Sequence, residues 1–247
     1  ENLDGIREVR YRFVRGNICD RSLVSELFEE RRFDAALNFA AESHVDNSIT
    51  GPRVFIETNV TGTLNLLDCA LAAWKRVLAN RAAAGYMLGY CVHCIELFSS
   101  RGWMVAFLVF SASLHAPGTS FPWRAAPIAA TVNLLAVPAS ILGNELALRI
   151  GRRAWIQIVM PVSTLCGLAL GLSAGAHWGI VLALLIVYSM LVMADSATLT
   201  AGLVAAAPPE LRGAAMGLYS LLGFGGGMLG PTVFGAALDA AGGGTPP

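Results

Sequence analysis

The sequence predicts two fold classes in one chain: an α/β segment over residues 1–76, then an all-α membrane bundle of about five transmembrane helices within residues 85–241. Three observations carry this. Residues 1–81 hold 11 of the 17 Lys and Arg and 12 of the 17 Asp and Glu, leaving 6 and 5 for the remaining 166 residues. Charged residues thus fall from about 28% to about 7%, against roughly a quarter in ordinary globular chains. Within residues 10–40, extended runs alternate with a helical pattern. After residue 84, apolar stretches of about 20 residues, enough to cross a bilayer, recur. The two solvents implied, water and lipid, meet at a junction over residues 77–84, a break that the whole-chain average of 55% hydrophobic residues conceals.

In the first segment Tyr11–Ile18 reads as a strand, Asp20 to about Arg32 as a helix and Ala35–Ala41 as a buried strand. Asp20 is placed to cap the helix, with Leu23, Val24, Leu27 and Phe28 on one face and Glu26, Glu29 and Glu30 on the other. The run over residues 34–41 does not alternate, as expected of a parallel strand covered on both faces. A turn at Thr50-Gly51 precedes a second helix, about Pro52–Lys75. Strands alternating with helices predict an open parallel sheet whose ligands lie beyond the carboxyl ends of the strands, at Gly16–Asp20 and Ala40–Val45. Glu42, His44 and Asp46 at the second of these ends read as solvated polar residues.

The apolar stretches are about 85–110, 125–148, 154–174, 178–206 and 213–238, separated by short segments rich in Gly, Pro or charge. Arg149, Arg152 and Arg153 share one loop and Arg212 lies two helices on, whereas AGAHW between them has no Lys or Arg. The positive-inside bias puts both arginine-bearing loops in the cytoplasm and, by alternation, residues 1–84 with them. The expected location is the cell membrane, multi-pass, with the lipid bilayer as partner and residues 242–247 as a disordered tail. Zero net charge gives no support for nucleic-acid binding. Cys19, Cys69, Cys91, Cys94 and Cys166 show neither a disulfide framework nor paired zinc spacing. Cys91 and Cys94, three apart with His93 between them, are either a metal or redox pair or ordinary buried thiols.

FVRGNICD (13–20) and FDAALNFAAESHVDNSITGPRVFIETNVTGTLNLLDCALAAW (33–74) carry a more specific signal. Over about residues 3–75 the chain resembles dTDP-glucose 4,6-dehydratases of the extended short-chain dehydrogenase family. The resemblance implies a partial Rossmann-like, NAD-binding segment in which Asn17 and Ile18 face the adenine. It further implies that Phe39, Ala40, Ala41, Glu42 and Ser43 line the dinucleotide, that Ser43 also approaches the sugar nucleotide, and that Thr58 lies near the cofactor. Asn17 stands where the family has Asp, so an acceptor remains but the charge is lost. The family's Gly-rich phosphate loop, Thr-Asp-Glu triplet and Tyr-x-x-x-Lys pair have no counterpart in the sequence. Lys75 is the only lysine, with no Tyr four residues before it. The expectation is a segment truncated at its front, with NAD implied by resemblance but not bound, and no catalytic residue.

Residues 85–241 resemble the C-terminal half of a major facilitator superfamily transporter, from its seventh to its eleventh helix. RIGRR after an apolar helix matches the arginine-rich loop of that family, although Leu148 stands where an Asp is expected. Gly226, Gly230 and Pro231 match the Gly/Pro pattern of its bending helices: the glycines allow close helix approach and the proline removes a backbone donor. The resemblance implies transport of a small solute, with the twelfth helix absent. Together the two resemblances imply an interrupted dehydratase joined to an incomplete transporter.

Ionisable residues inside spans are the candidate functional residues, because each costs about 2.5–3.5 kcal/mol at the bilayer centre on insertion scales. His93, Glu96 and Arg101 form a polar stripe in the first span, and Asp195 lies in the fourth beside Ser196, Thr198 and Thr200. Two readings stand side by side: proton coupling through Glu96, His93 or Asp195, or a structural Glu96–Arg101 pair.

Overall fold

A computed structural model describes residues 12–31, 33, 36–41, 51–116, 121–122 and 124–242. The chain divides into two compact units at Arg76/Val77, the first of which also takes in Pro209–Ala214.

In the first unit α1 (Arg21–Arg31) starts where the sequence predicts. Asp20 Oδ1 accepts from the backbone N–H groups of Ser22 and Leu23, both at 3.1 Å, and from Ser22 Oγ at 2.6 Å. These donors hold the Asp20 carboxyl below its ordinary range, the Ser22 hydroxyl contributing most. Val24 is buried while Glu26, Glu29 and Glu30 are exposed, as the helical spacing requires. The second helical stretch is longer than expected and not uniform. It comprises α2 (Pro52–Ile56), a π-helical run over Glu57–Gly62 and α3 (Thr63–Ala79). Pro52 suits the first turn because its missing N–H would find no helical acceptor there.

The two expected strands are the principal correction. Among the described residues there is no strand, so the α/β layer is not seen: residues 12–17 and 36–41 are irregular. Phe13, Leu37 and Phe39 are 74%, 77% and 89% exposed instead of covered on both faces. A strand exists only where neighbouring strands close its ladder, and strand preference is a preference for that packed setting. Among the described residues, the apolar run at 36–41 is held by Asn38, which donates to Thr63 Oγ1 at 3.3 Å and accepts from Ala40 N at 3.0 Å.

The second unit is built from α4 (Arg81–Ser113), α5 (Ala125–Ile150), α6 (Arg152–Leu172), α7 (Trp178–Met193), α8 (Ser196–Ala206) and α9 (Arg212–Ala240). They supply five helices long and apolar enough to cross a membrane, at the five expected places, with α7 and α8 forming one interrupted span. Asn80 starts α4 by accepting from the N–H groups of Ala82 and Ala83. Gly151 alone connects α5 to α6; its φ of +96° is a left-handed conformation that a side chain would disfavour. On α5, Ile128, Ala129, Val132, Ala136, Ala139, Gly143 and Ala147 form a buried stripe at helical spacing. Its wide end joins Met104, Leu108, Leu170, Val181 and Leu185 in an apolar core. The outer faces are oily: Leu134, Ile141, Leu172 and Met228 are between 67% and 82% exposed. The expected tail falls on residues of which only Gly242 is described.

The Asp20 cap yields a pH prediction. Its folded carboxyl titrates below the unfolded value, so its contribution is complete above the unfolded value and is lost as pH falls through the folded one. Amide exchange at Ser22 and Leu23 should quicken as pH falls below about 4, after correction for intrinsic rates. Asp20→Ala should show the fast rate at every pH; protection unchanged by that substitution would refute the cap.

Candidate functional site

The residues assigned to the dinucleotide divide into two groups. Asn17 and Ile18 sit in the turn that enters α1, where Asn17 Oδ1 accepts from Cys19 N at 2.9 Å. The turn is clamped to the second helical stretch: Asn65 Nδ2 donates to Ile18 O at 3.1 Å and Cys19 O at 3.0 Å, and the Cys19 thiol donates to Glu57 O at 3.0 Å. Gly62 is buried there because a Cβ would lie 2.5 Å from Ile18 Cγ1. Thr58, half-buried in the π-helical run, belongs to the same neighbourhood. Phe39, Ala40 and Ala41 are exposed coil, and Glu42, Ser43, His44 and Asp46 lie outside the described residues. A dinucleotide needs a concave surface and a strand end to rest on. Among the described residues of this set, Phe39, Ala40 and Ala41 lie at no strand end.

In the second unit two places gather polar side chains of several spans. The first is the interruption of the fourth span. Helix α7 ends at Met193 and α8 begins at Ser196, so the Ala194 carbonyl is released from the helical ladder. Trp155 on α6 donates its indole N–H to that carbonyl at 3.0 Å. Gly143 on α5 makes room for it, since a Cβ at Gly143 would run into Ala194 O. Beside the interruption, Asp195 Oδ1 lies 2.7 Å from His93 Nδ1 on α4, with both side chains at most 5% exposed. The two atoms are not aligned for a hydrogen bond, so this is a close polar contact without one. His93 Nε2 and Thr198 Oγ1 are buried there without hydrogen-bond partners among the described residues. Tyr90 stacks on Tyr219 with centroids 3.7 Å apart, and the Tyr219 hydroxyl bonds Thr200 Oγ1 at 2.8 Å.

The second place is a cleft of about 670 Å³ among α4, α6, α7 and α9. Glu96 projects into it and is met by Ser163 Oγ at 3.1 and 3.2 Å from its two oxygens, with the Tyr188 hydroxyl beside it. Trp103, Phe107 and Phe234 supply much of the remaining wall. Arg101 takes no part in it. Five positions after Glu96 puts it on a different side of α4, exposed, with its guanidinium 3.4 Å from Met193 Sδ. The polar stripe of the sequence therefore separates into three environments. Cys91 and Cys94 carry free thiols, and no group of three or more metal-ligating side chains occurs among the described residues.

Ser163, Tyr188 and Trp155 escape the reading of the sequence because they bear no formal charge. A usable signal exists: Tyr188 is the one polar-tipped aromatic in the interior of α7, and such a hydroxyl needs a partner when buried.

Residues 1–83 match the family model described as GDP-mannose 4,6 dehydratase. A probable dTDP-glucose 4,6-dehydratase of Sinorhizobium fredii is 43% identical over 100 residues, 40% of this chain and 27% of that protein. The dTDP-glucose 4,6-dehydratase of Xanthomonas campestris pv. campestris strain B100 is 54% identical over 72 residues, 29% of this chain and 20% of that protein. The dTDP-glucose 4,6-dehydratase of Salmonella typhimurium is 49% identical over 76 residues, 30% and 21% of the two chains. The chain thus spans about a fifth to a quarter of the length of the curated relatives it matches. No solved structure matches.

The clamp at Ala194 can be tested by stability. Trp155→Phe leaves a buried carbonyl without its donor, and Gly143→Ala drives a methyl group into it; each should destabilise by about 1–3 kcal/mol. Thermal unfolding of the detergent-purified chain measures this, and unchanged midpoints for both variants would remove the clamp from the account.

Proposed function

We propose that this chain is an integral membrane protein whose five spans work as part of a facilitator-type transporter, moving a small solute with proton coupling. The single observation that carries the reading is the cleft holding Glu96, whose lining includes no Lys or Arg to neutralise the carboxylate. A carboxyl in apolar surroundings without a cation exchanges charge by taking up a proton. The contacts of Ser163 accommodate both states. Its hydroxyl has one proton and two acceptors within reach, Glu96 and the Met160 carbonyl at 2.8 Å. When Glu96 carries a proton it donates to Ser163, which donates to Met160 O; when Glu96 is ionised, Ser163 turns to the carboxylate. His93 and Asp195 beside the interrupted span supply a second titratable pair within the membrane. A discontinuous span with its ends at mid-membrane is a recurring way to place such groups. The five apolar helices support residence in the cell membrane, and the arginine loops support a cytoplasmic position for residues 1–84.

A second reading, a nucleotide-sugar dehydratase segment, rests on the match over residues 1–83. The exposed placement of Phe39, Ala40 and Ala41 speaks against NAD being held.

In proteoliposomes containing the full chain and a pH-reporting dye, the solute that is carried should move protons, and Glu96→Gln should abolish that movement. Proton movement equal in the wild type and in the variant would end the role of Glu96. Isothermal titration of the full chain with NAD should give no saturable heat; a saturable signal would restore the dehydratase reading.

A further inference from the structure

The cleft around Glu96 has a polarity that its size and charge do not by themselves convey. Five of its lining side chains carry hydrogen-bond donors: Ser99, Ser100, Trp103, Thr164 and Tyr188. Three of these donors are given to backbone carbonyls. Ser100 Oγ donates to Leu97 O at 3.0 Å, Thr164 Oγ1 to Met160 O at 3.0 Å and Trp103 Nε1 to Pro231 O at 3.2 Å. The Tyr188 hydroxyl is engaged with Glu96 and Ser100. The fifth, Ser99, is pressed against Gly230, where a Cβ would lie 2.7 Å from its Oγ. A hydroxyl that gives its proton to the backbone shows only lone pairs on its other side. The lining therefore brings together a carboxylate, hydroxyl oxygens whose protons are given elsewhere, and the electron-rich rings of Trp103, Phe107, Tyr188 and Phe234.

Every one of these groups attracts positive charge, and no Lys or Arg in the lining opposes them. An anion would meet a carboxylate, and among the described residues of the lining the Ser99 hydroxyl is the one donor not already engaged by another group. A sugar would bring many hydroxyl donors and acceptors into a wall that is mostly hydrocarbon and would leave most of them unpaired. An organic cation with an apolar body suits all of the features at once. Its charge meets Glu96 and the ring faces, and its hydrocarbon surface replaces water against Val92, Leu170 and Leu185. A cleft of about 670 Å³ has the volume of a site for a drug-sized molecule.

We propose that the solute bound in this cleft is a lipophilic organic monocation, held by the Glu96 carboxylate and the surrounding aromatic faces. The proposal rests on the transporter reading for its biological sense, but binding is measured separately from transport. The probes are tetraphenylphosphonium and tetraphenylborate, which share shape and oiliness and differ in the sign of their charge. The detergent-purified full chain should bind tetraphenylphosphonium saturably in equilibrium dialysis and should not bind tetraphenylborate saturably. Glu96→Gln should weaken the phosphonium by roughly tenfold or more. Equal binding of both ions, no saturable phosphonium binding, or an affinity unaltered in the variant would overturn the proposal.

A second measurement needs no variant. Dicyclohexylcarbodiimide labels carboxyls in apolar surroundings, and tetraphenylphosphonium should protect Glu96 from it in the wild-type chain while tetraphenylborate should not. Labelling at Glu96 that neither ion alters would count against the site. Phosphonium binding without any solute flux in proteoliposomes would leave the cleft's preference standing and sink transport. Flux of another solute without phosphonium binding would do the reverse.

Discussion

A carbonyl released from its helix in an apolar interior must find a donor, and at Ala194 that requirement organises much of the bundle. The carbonyl comes free because the helical ladder stops between Met193 and Ser196. Trp155 reaches it from α6, and Gly143 lets α5 come close enough to pack over it. Three helices are thereby fixed around one oxygen. Because the ladder stops there, Asp195 is held at the interruption and meets His93 on α4. Without a satisfied carbonyl the interruption would close into continuous helix or admit water, since an unpaired backbone group is strongly disfavoured in such surroundings.

The cleft depends on a second close approach. Gly226 and Gly230 on α9 lie against the Cys91 and Ile95 carbonyls of α4, where a Cβ would come within 2.8 and 2.7 Å of those oxygens. Two backbones in contact bring Trp103 within reach of Pro231 O, and that hydrogen bond fixes the indole in the wall of the cleft. Pro231 adds to this from the other side. A proline cannot donate to the helical ladder, yet its own carbonyl is available to a neighbour.

What could be read from the sequence follows the physics that each part obeys. The five spans are visible because length and apolarity alone decide whether a helix can cross a bilayer, and the observed helices fall at the expected residues. The Asp20 cap and the exposed row of Glu26, Glu29 and Glu30 are local patterns and are equally visible. The two strands are not local: their pairing depends on neighbours, and residues 36–41 are irregular where the run of apolar residues reads as covered strand. Glu96, His93 and Asp195 stand out in a string of hydrocarbon, but which of them share a place does not. Glu96 goes with Ser163 and Tyr188, His93 goes with Asp195, and Arg101 goes with neither. That sorting is set by helix rotation and by the interruption at Ala194, neither of which has a compositional mark.

Asn80 has a further consequence. Its Oδ1 caps the start of α4, while its Nδ2 donates to the Ala206 carbonyl at the end of α8 at 2.9 Å. One amide thus closes two helix ends separated by 126 positions in sequence. During synthesis the oxygen half is satisfied as soon as the first turn of α4 forms, but the nitrogen half waits until the fourth span has been made. The entry to the first span therefore stays half-finished through most of the assembly of the bundle. It is completed by the same event that seats the far end of the interrupted span, so Asn80 works as a late clasp.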